Sequence, residues 1–162
     1  MAQGVYQIVP DRSMAQITVS GAPGRIRAEV PFSGSLVVSG GVVTEVTTRM
    51  DTRALNTRSQ MAARQMRGPK GFDVDNHPAG SFSASRIRQN GDEITVDGNL
   101  TIKGVTLPAT FSGRIVRFNQ RRIQAVLEGT IDRTAFGVTA GRPLYGRSAE
   151  VRMHFVARRP TR

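Results

Sequence analysis

Apolar and polar side chains alternate along most of this chain, the pattern of a strand with one face buried. Ile26, Ala28, Val30, Phe32, Gly34, Leu36 and Val38 share one face, and Arg27, Glu29, Ser33 and Ser35 share the other. After a Gly40-Gly41 turn, Val42, Thr44, Val46, Thr48 and Met50 continue on a second strand. Phe82 and Ala84 lead a strand that ends near Arg88, followed by an Asn90-Gly91 hairpin turn. Ile94, Val96, Gly98, Leu100 and Ile102 alternate with Thr95, Asp97, Asn99, Thr101 and Lys103. Ala109, Phe111, Gly113 and Ile115 follow, then Ile123, Ala125, Leu127, Gly129 and Ile131. The last strand sets Ala149, Val151, Met153, Phe155 and Ala157 against Glu150, Arg152, His154 and Arg158. With Ala15, Ile17 and Val19 near the start, the set is about eight long strands, enough for a barrel or a sandwich.

One stretch breaks the alternation. Ser59, Gln60, Met61, Ala62, Ala63, Arg64, Gln65 and Met66 are mostly helix formers; Ser59 can cap them and Gly68-Pro69 stops them. The spacing therefore predicts one short helix placed over a barrel end. Hairpin-like intervals favour an up-and-down order, and closure removes the exposed edges that long strands present. The predicted fold is an all-β, antiparallel up-and-down barrel forming a single domain over residues 1–162.

The inward faces mix large apolar residues with small ones: Ala28, Gly34, Gly98, Gly113, Ala125, Gly129, Ala149 and Ala157. Barrels of this size sit where side chains just fill the middle or leave room for one ligand. The small residues suit a hollow interior, and they suit equally strands that bend at barrel corners around a packed core.

Charge adds little to this picture. The chain carries 23 basic and 12 acidic residues, a net charge of +11. Only Lys70 and Lys103 are lysines, so the basic character is nearly all arginine, scattered except at Arg121-Arg122 and the tail Arg158-Arg159-Pro160-Thr161-Arg162. No basic stripe interleaved with aromatics occurs, so arginines on solvated strand faces are expected rather than a nucleic-acid partner; a nucleic-acid binder would show steep salt dependence. The absence of cysteine removes disulfides, thiolate nucleophiles and zinc–thiolate sites together. No apolar run is long enough for a transmembrane segment. The start, Met1 to Tyr6, has no apolar leader core, so the expectation is a cytoplasmic protein or one whose leader has been removed.

Catalytic chemistry has little to work with. The two histidines are His77, in a turn before Pro78, and His154, expected to point outward on the last strand. No metal-ligand spacing, nucleophile–base pattern, phosphate loop or cofactor motif is present. One enzyme reading survives: a closed apolar cavity can speed a cyclisation by holding a flexible polyketide or terpenoid chain in a reactive shape without metal or cofactor. Tyr145, in a mobile mouth loop Gly141–Gly146, would then donate a hydrogen bond.

Four segments carry a resemblance to a known family. Gly98-Asn99-Leu100-Thr101-Ile102-Lys103-Gly104-Val105-Thr106-Leu107-Pro108 resembles the central strand motif of YceI-like proteins. Tyr6 to Ser13 resembles the family's opening, and Met66 to Val74, with His77-Pro78 and Phe82 after it, resembles its helix-and-loop motif. Ile131-Asp132-Arg133-Thr134-Ala135-Phe136-Gly137-Val138 resembles its strand-to-loop motif near the end. The resemblance implies a lipocalin-like barrel that binds polyisoprenoids and related lipids, and one that pairs as a homodimer. It also exposes departures at the barrel mouth. Arg12 stands where the family usually carries His, Ala62-Ala63 where it carries Arg-Asp, and Gln65 where it carries a second His. The expectation is therefore a carrier or storage protein for a hydrophobic or amphipathic small molecule. Phe32, Met66, Phe72, Phe82, Leu100, Ile102, Phe111, Phe136, Tyr145 and Met153 are expected to line its cavity. Arg58, Arg64 or Arg67 would meet a head group, and no metal or cofactor is expected.

Overall fold

The computed structural model describes residues 3–160. Met1, Ala2 and the end of the basic tail, Thr161 and Arg162, lie outside the described residues. Ten strands form one antiparallel sheet: β1 (Gly4–Ile8), β2 (Met14–Gly21), β3 (Gly24–Ser39), β4 (Val42–Asp51), β5 (Asn56–Thr57), β6 (Ala79–Asn90), β7 (Glu93–Ile102), β8 (Val105–Phe118), β9 (Arg122–Asp132) and β10 (Tyr145–Arg158). The order β10-β2-β3-β4-β6-β7-β8-β9 closes on itself because β9 also pairs with β10, from Ser148↔Asp132 to Arg158↔Arg122. The result is an eight-stave barrel without a free edge.

β1 and β2 are two halves of one stave. β1 runs against β3 from Gly4↔Val38 to Ile8↔Gly34, and β2 takes over from Met14↔Pro31 to Gly21↔Gly24. Between them the turn Pro10–Arg12 leaves the sheet. It covers Val156, which is buried on the outside of the barrel while its amide donates to the Ser13 hydroxyl at 3.3 Å.

The faces follow the alternation except where the ladder is interrupted. On β4, Thr44 is an extra residue: Val37 pairs with Glu45 and Val38 with Val43, so the phase slips there. Val43 turns inward and Val42 is exposed, whereas simple alternation puts Val42 and Thr44 in phase with Val46. On β3, Gly34 has φ +144, and a side chain there would meet the Thr47 carbonyl. Glycine lets this long strand bend at that crossing.

The two ends of the barrel differ. One is closed by short hairpins, β3–β4, β6–β7 and β8–β9. The other carries the β2–β3 and β7–β8 hairpins and both long connections. The first long connection holds a 3-10 turn (Thr52–Ala54), β5 and helix α1 (Gln60–Arg67). Ser59 caps α1, its hydroxyl accepting from the Ala62 amide at 3.2 Å. After the helix the chain folds back: the Phe72 amide donates to Met66 carbonyl at 2.6 Å and Val74 to Arg67 carbonyl at 3.0 Å. That reversal satisfies carbonyls the helix end leaves open and turns Phe72 and Val74 into the core. The second connection begins with a 3-10 turn, Arg133–Phe136, and ends where Tyr145 starts β10.

Candidate functional site

A cavity opens at the end that carries α1. Its walls come from β2 (Ala15, Ile17, Val19), β4 (Thr48, Met50), β7 (Leu100, Ile102) and β10 (Ala149, Val151, Met153), with α1 and the two long connections above. The space in which the centre of a water molecule can move is about 80 Å³. That is several times the roughly 10–15 Å³ that one water needs, yet water also needs polar partners there. Few face it. The Thr48 hydroxyl is already committed to the Phe82 carbonyl at 3.1 Å. A narrow, apolar slot of this kind is unattractive to water and open to a slim carbon chain. Met50, Met66 and Met153 stand in its walls; their unbranched thioethers let the slot widen or shift around different chains.

The floor is aromatic. Phe82 and Phe111 meet edge to face, with ring centroids 5.1 Å apart and planes at 83°. Two of the small residues that alternation points inward, Gly98 and Gly129, make room for these rings. A side chain at Gly98 would come within 2.9 Å of the Phe82 ring, and one at Gly129 within 2.6 Å of the Phe111 ring. Those glycines leave room for protein, whereas Ala15 and Ala149 leave room in the cavity. Below the floor the interior is occupied by Leu36, Val46, Ile94, Val96, Ile115, Ile123, Leu127 and Phe155, all buried and none lining the cavity. At the far end the buried Tyr6 hydroxyl donates to the Asn119 carbonyl at 2.7 Å and ties the β8–β9 hairpin across the bottom.

All ten residues that the sequence places around a cavity line this one: Phe32, Met66, Phe72, Phe82, Leu100, Ile102, Phe111, Phe136, Tyr145 and Met153. Tyr145 does so as the first residue of β10 rather than from within a loop. Arg58, Arg64 and Arg67 are not among the lining residues. Arg58 is exposed, and the Arg67 Nε–H donates to the Leu55 carbonyl at 3.2 Å, which pins α1 to the preceding turn.

The charged residue among those lining the cavity is Arg133, in the turn after β9. Only 5% of it is exposed. Its Nε–H donates to the Gly146 carbonyl at 2.8 Å, and one terminal nitrogen donates to the Val138 and Ala140 carbonyls at 3.0 and 2.8 Å. Backbone carbonyls, not a carboxylate, thus satisfy a buried cation and hold the second connection against β10. Burial, helped by the neighbouring Arg142, pulls the guanidinium pKa below its ordinary value, and Asp132 opposes this. Lys103 works alike on the other side: its ammonium donates to the Pro69 carbonyl and, at 2.9 Å, to the Gly137 carbonyl. Two cations therefore stitch the rim. Nothing in the alternation marks them, because their partners are main-chain atoms; the only sequence signal is that Arg133 and Lys103 lie inside two of the family-like segments.

Among the described residues no group of three His, Asp or Glu side chains could hold a metal ion, and no helix is long and apolar enough to cross a membrane. His154 is half-buried on β10, its Nε2 3.1 Å from the Gln124 side-chain amide and away from the cavity.

Comparison with known proteins gives a consistent result. BcnA of Burkholderia cenocepacia superposes with a TM-score of 0.82 over 92% of this chain and 98% of that one, at 19% identity. A polyisoprenoid binding domain from Saccharophagus degradans superposes with a TM-score of 0.74 over 98% and 99%, at 15% identity. At such identities the likeness shows the fold. Protein YceI of Salmonella arizonae and a UPF0312 protein of Pectobacterium atrosepticum are each 25% identical over 100 residues, 59% of this chain and 52% of theirs. The chain thus spans about half the length of the curated relatives it matches. The YceI-like domain model matches residues 6–157, which takes in every stave of the barrel, and the chain belongs to that family.

Proposed function

We propose that this barrel carries or stores a hydrophobic or amphipathic small molecule, isoprenoid- or lipid-like, with its carbon chain in the cavity above the Phe82–Phe111 floor. The observation that carries this reading is the slot itself: apolar and lined from nearly every side of the barrel. A structural neighbour described as a polyisoprenoid binding domain supports the ligand class.

The energetics suit reversible carriage. Burial contributes roughly 0.8 kcal/mol per methylene, so about ten buried carbons contribute about 8 kcal/mol before ordering costs. Lost translational and rotational freedom offsets much of that. Affinity then comes from the chain and its length, and polar groups at the rim set orientation. Native mass spectrometry tests the reading, applied to protein from its own host and to stripped protein offered farnesol. One retained apolar molecule per chain is the expected result; a protein that retains none and takes up none contradicts carriage.

A further inference from the structure

The surface groove beside the α1 end of the cavity differs from three other grooves on the molecule. It lies between the end of α1 and the second long connection, and Arg64, Lys70 and Arg142 reach into it. Gln65, Ala140 and Gly141 belong to its wall and to the cavity wall alike, so the two spaces adjoin. Its frame is fixed by main-chain bonds. The Lys70 carbonyl accepts from the Thr139 and Ala140 amides at 2.8 and 2.9 Å, and the Arg142 amide donates to the Thr139 carbonyl at 3.1 Å. Gly141, with φ +82, turns the chain at the doorway, where a side chain would press the Tyr145 ring.

The charge is one-sided. No acidic residue lines this groove, and Arg64, Lys70 and Arg142 are in no ion pair among the described residues. Three other surface grooves each hold acids beside their arginines: Glu45 and Asp97 in one, Glu128 and Glu150 in the next, Asp51 in the third. Buried Arg133 lies beneath and adds its own charge to the same rim. Three unpaired cations at the exit of an apolar slot have a matching ligand shape: a greasy tail ending in an oxyanion.

From this juxtaposition we infer that Arg64, Lys70 and Arg142 form a head-group site, and that the carried molecule is an amphiphile with a multiply charged oxyanion head of the phosphate-ester class. The inference rests on the carrier reading above. It differs from the sequence expectation at two of three positions, since the fold turns Arg58 and Arg67 away and brings Lys70 and Arg142 in. Charge-assisted hydrogen bonds from guanidinium and ammonium groups would hold the head while the tail stays in the slot.

The test compares farnesyl monophosphate with farnesol by calorimetric titration, in the native protein and in the combined variant Arg64→Gln, Lys70→Gln, Arg142→Gln. The native protein should prefer the phosphate by about tenfold, or about 1.4 kcal/mol, and more at low salt. The combined variant should lose that preference, while Arg88→Gln, on the far side in an ion pair with Asp97, should keep it. Inorganic phosphate alone should bind much more weakly than farnesyl monophosphate. Equal native affinities, a preference that survives in the combined variant, or inorganic phosphate binding as tightly as the ester would each overturn the head-group site and leave carriage standing. Failure of both farnesyl ligands to bind would overturn carriage and the inference together.

Discussion

The two halves of this barrel share the same staves and differ in what fills them. Below the Phe82–Phe111 pair, residues such as Leu36, Val96, Ile123 and Phe155 interlock, and the Tyr6 hydroxyl seals the end against Asn119. Above the pair, Ala15, Ala149 and three flexible methionines leave a slot, and the rim is held by Arg133 and Lys103 through carbonyls. One half therefore supplies stability and the other supplies room. A protein can keep a dry cavity when enough well-packed core elsewhere compensates for the contacts the cavity walls lack.

Several substitutions would break or sharpen that contrast. Phe111→Ala removes half of the floor, and a loss of about 3–5 kcal/mol is expected in urea unfolding; the cavity should also extend downward toward Ile94. Arg133→Met leaves the Gly146, Val138 and Ala140 carbonyls without their donor, which should cost about 3 kcal/mol by the same measurement. A near-neutral result would show that the rim is not held by this cation.

Tyr6→Phe should cost about 1.5 kcal/mol at neutral pH, the size of one buried hydrogen bond. Its pH dependence is more telling. Burial raises the Tyr6 phenol above its ordinary value, with Arg159 opposing, so the folded state favours the neutral form. The stabilisation is complete below the unfolded value of about 10 and is lost as pH rises through the folded value. The Phe variant should lack this alkaline loss; an unchanged alkaline profile would place the sensitive group elsewhere. Ser59→Ala removes the cap of α1 and should cost about 1 kcal/mol. Ala62→Trp, on α1 at the mouth, should change stability by less than about 0.5 kcal/mol and yet block uptake of farnesol in native mass spectrometry.

Much of the barrel was readable from period-two alternation, because a stave with one buried face writes its orientation into the sequence. Six of the ten cavity residues, Phe32, Phe82, Leu100, Ile102, Phe111 and Met153, were readable for the same reason; Met66, Phe72 and Phe136 came from the family-like segments and Tyr145 from a loop reading. The slip at Thr44 was not, since one inserted residue leaves the local composition unchanged. Nor was the division into two halves. Gly98 and Gly129 look like open space along the chain, and only the closed sheet shows the Phe82 and Phe111 rings filling it. The rim cations were hidden more deeply. Arg133 bonds main-chain atoms, which every residue offers, and Arg64 meets Arg142 only after the sheet has closed.

The division into a filled half and an open half is tested most directly by diffraction from a crystal of the ligand-free protein under xenon pressure. Xenon enters dry apolar cavities, so density is expected above the Phe82–Phe111 pair, among Ile17, Leu100 and Val151, and none between that pair and Tyr6. Absence of xenon from the upper half, or its presence in the lower one, would contradict the account.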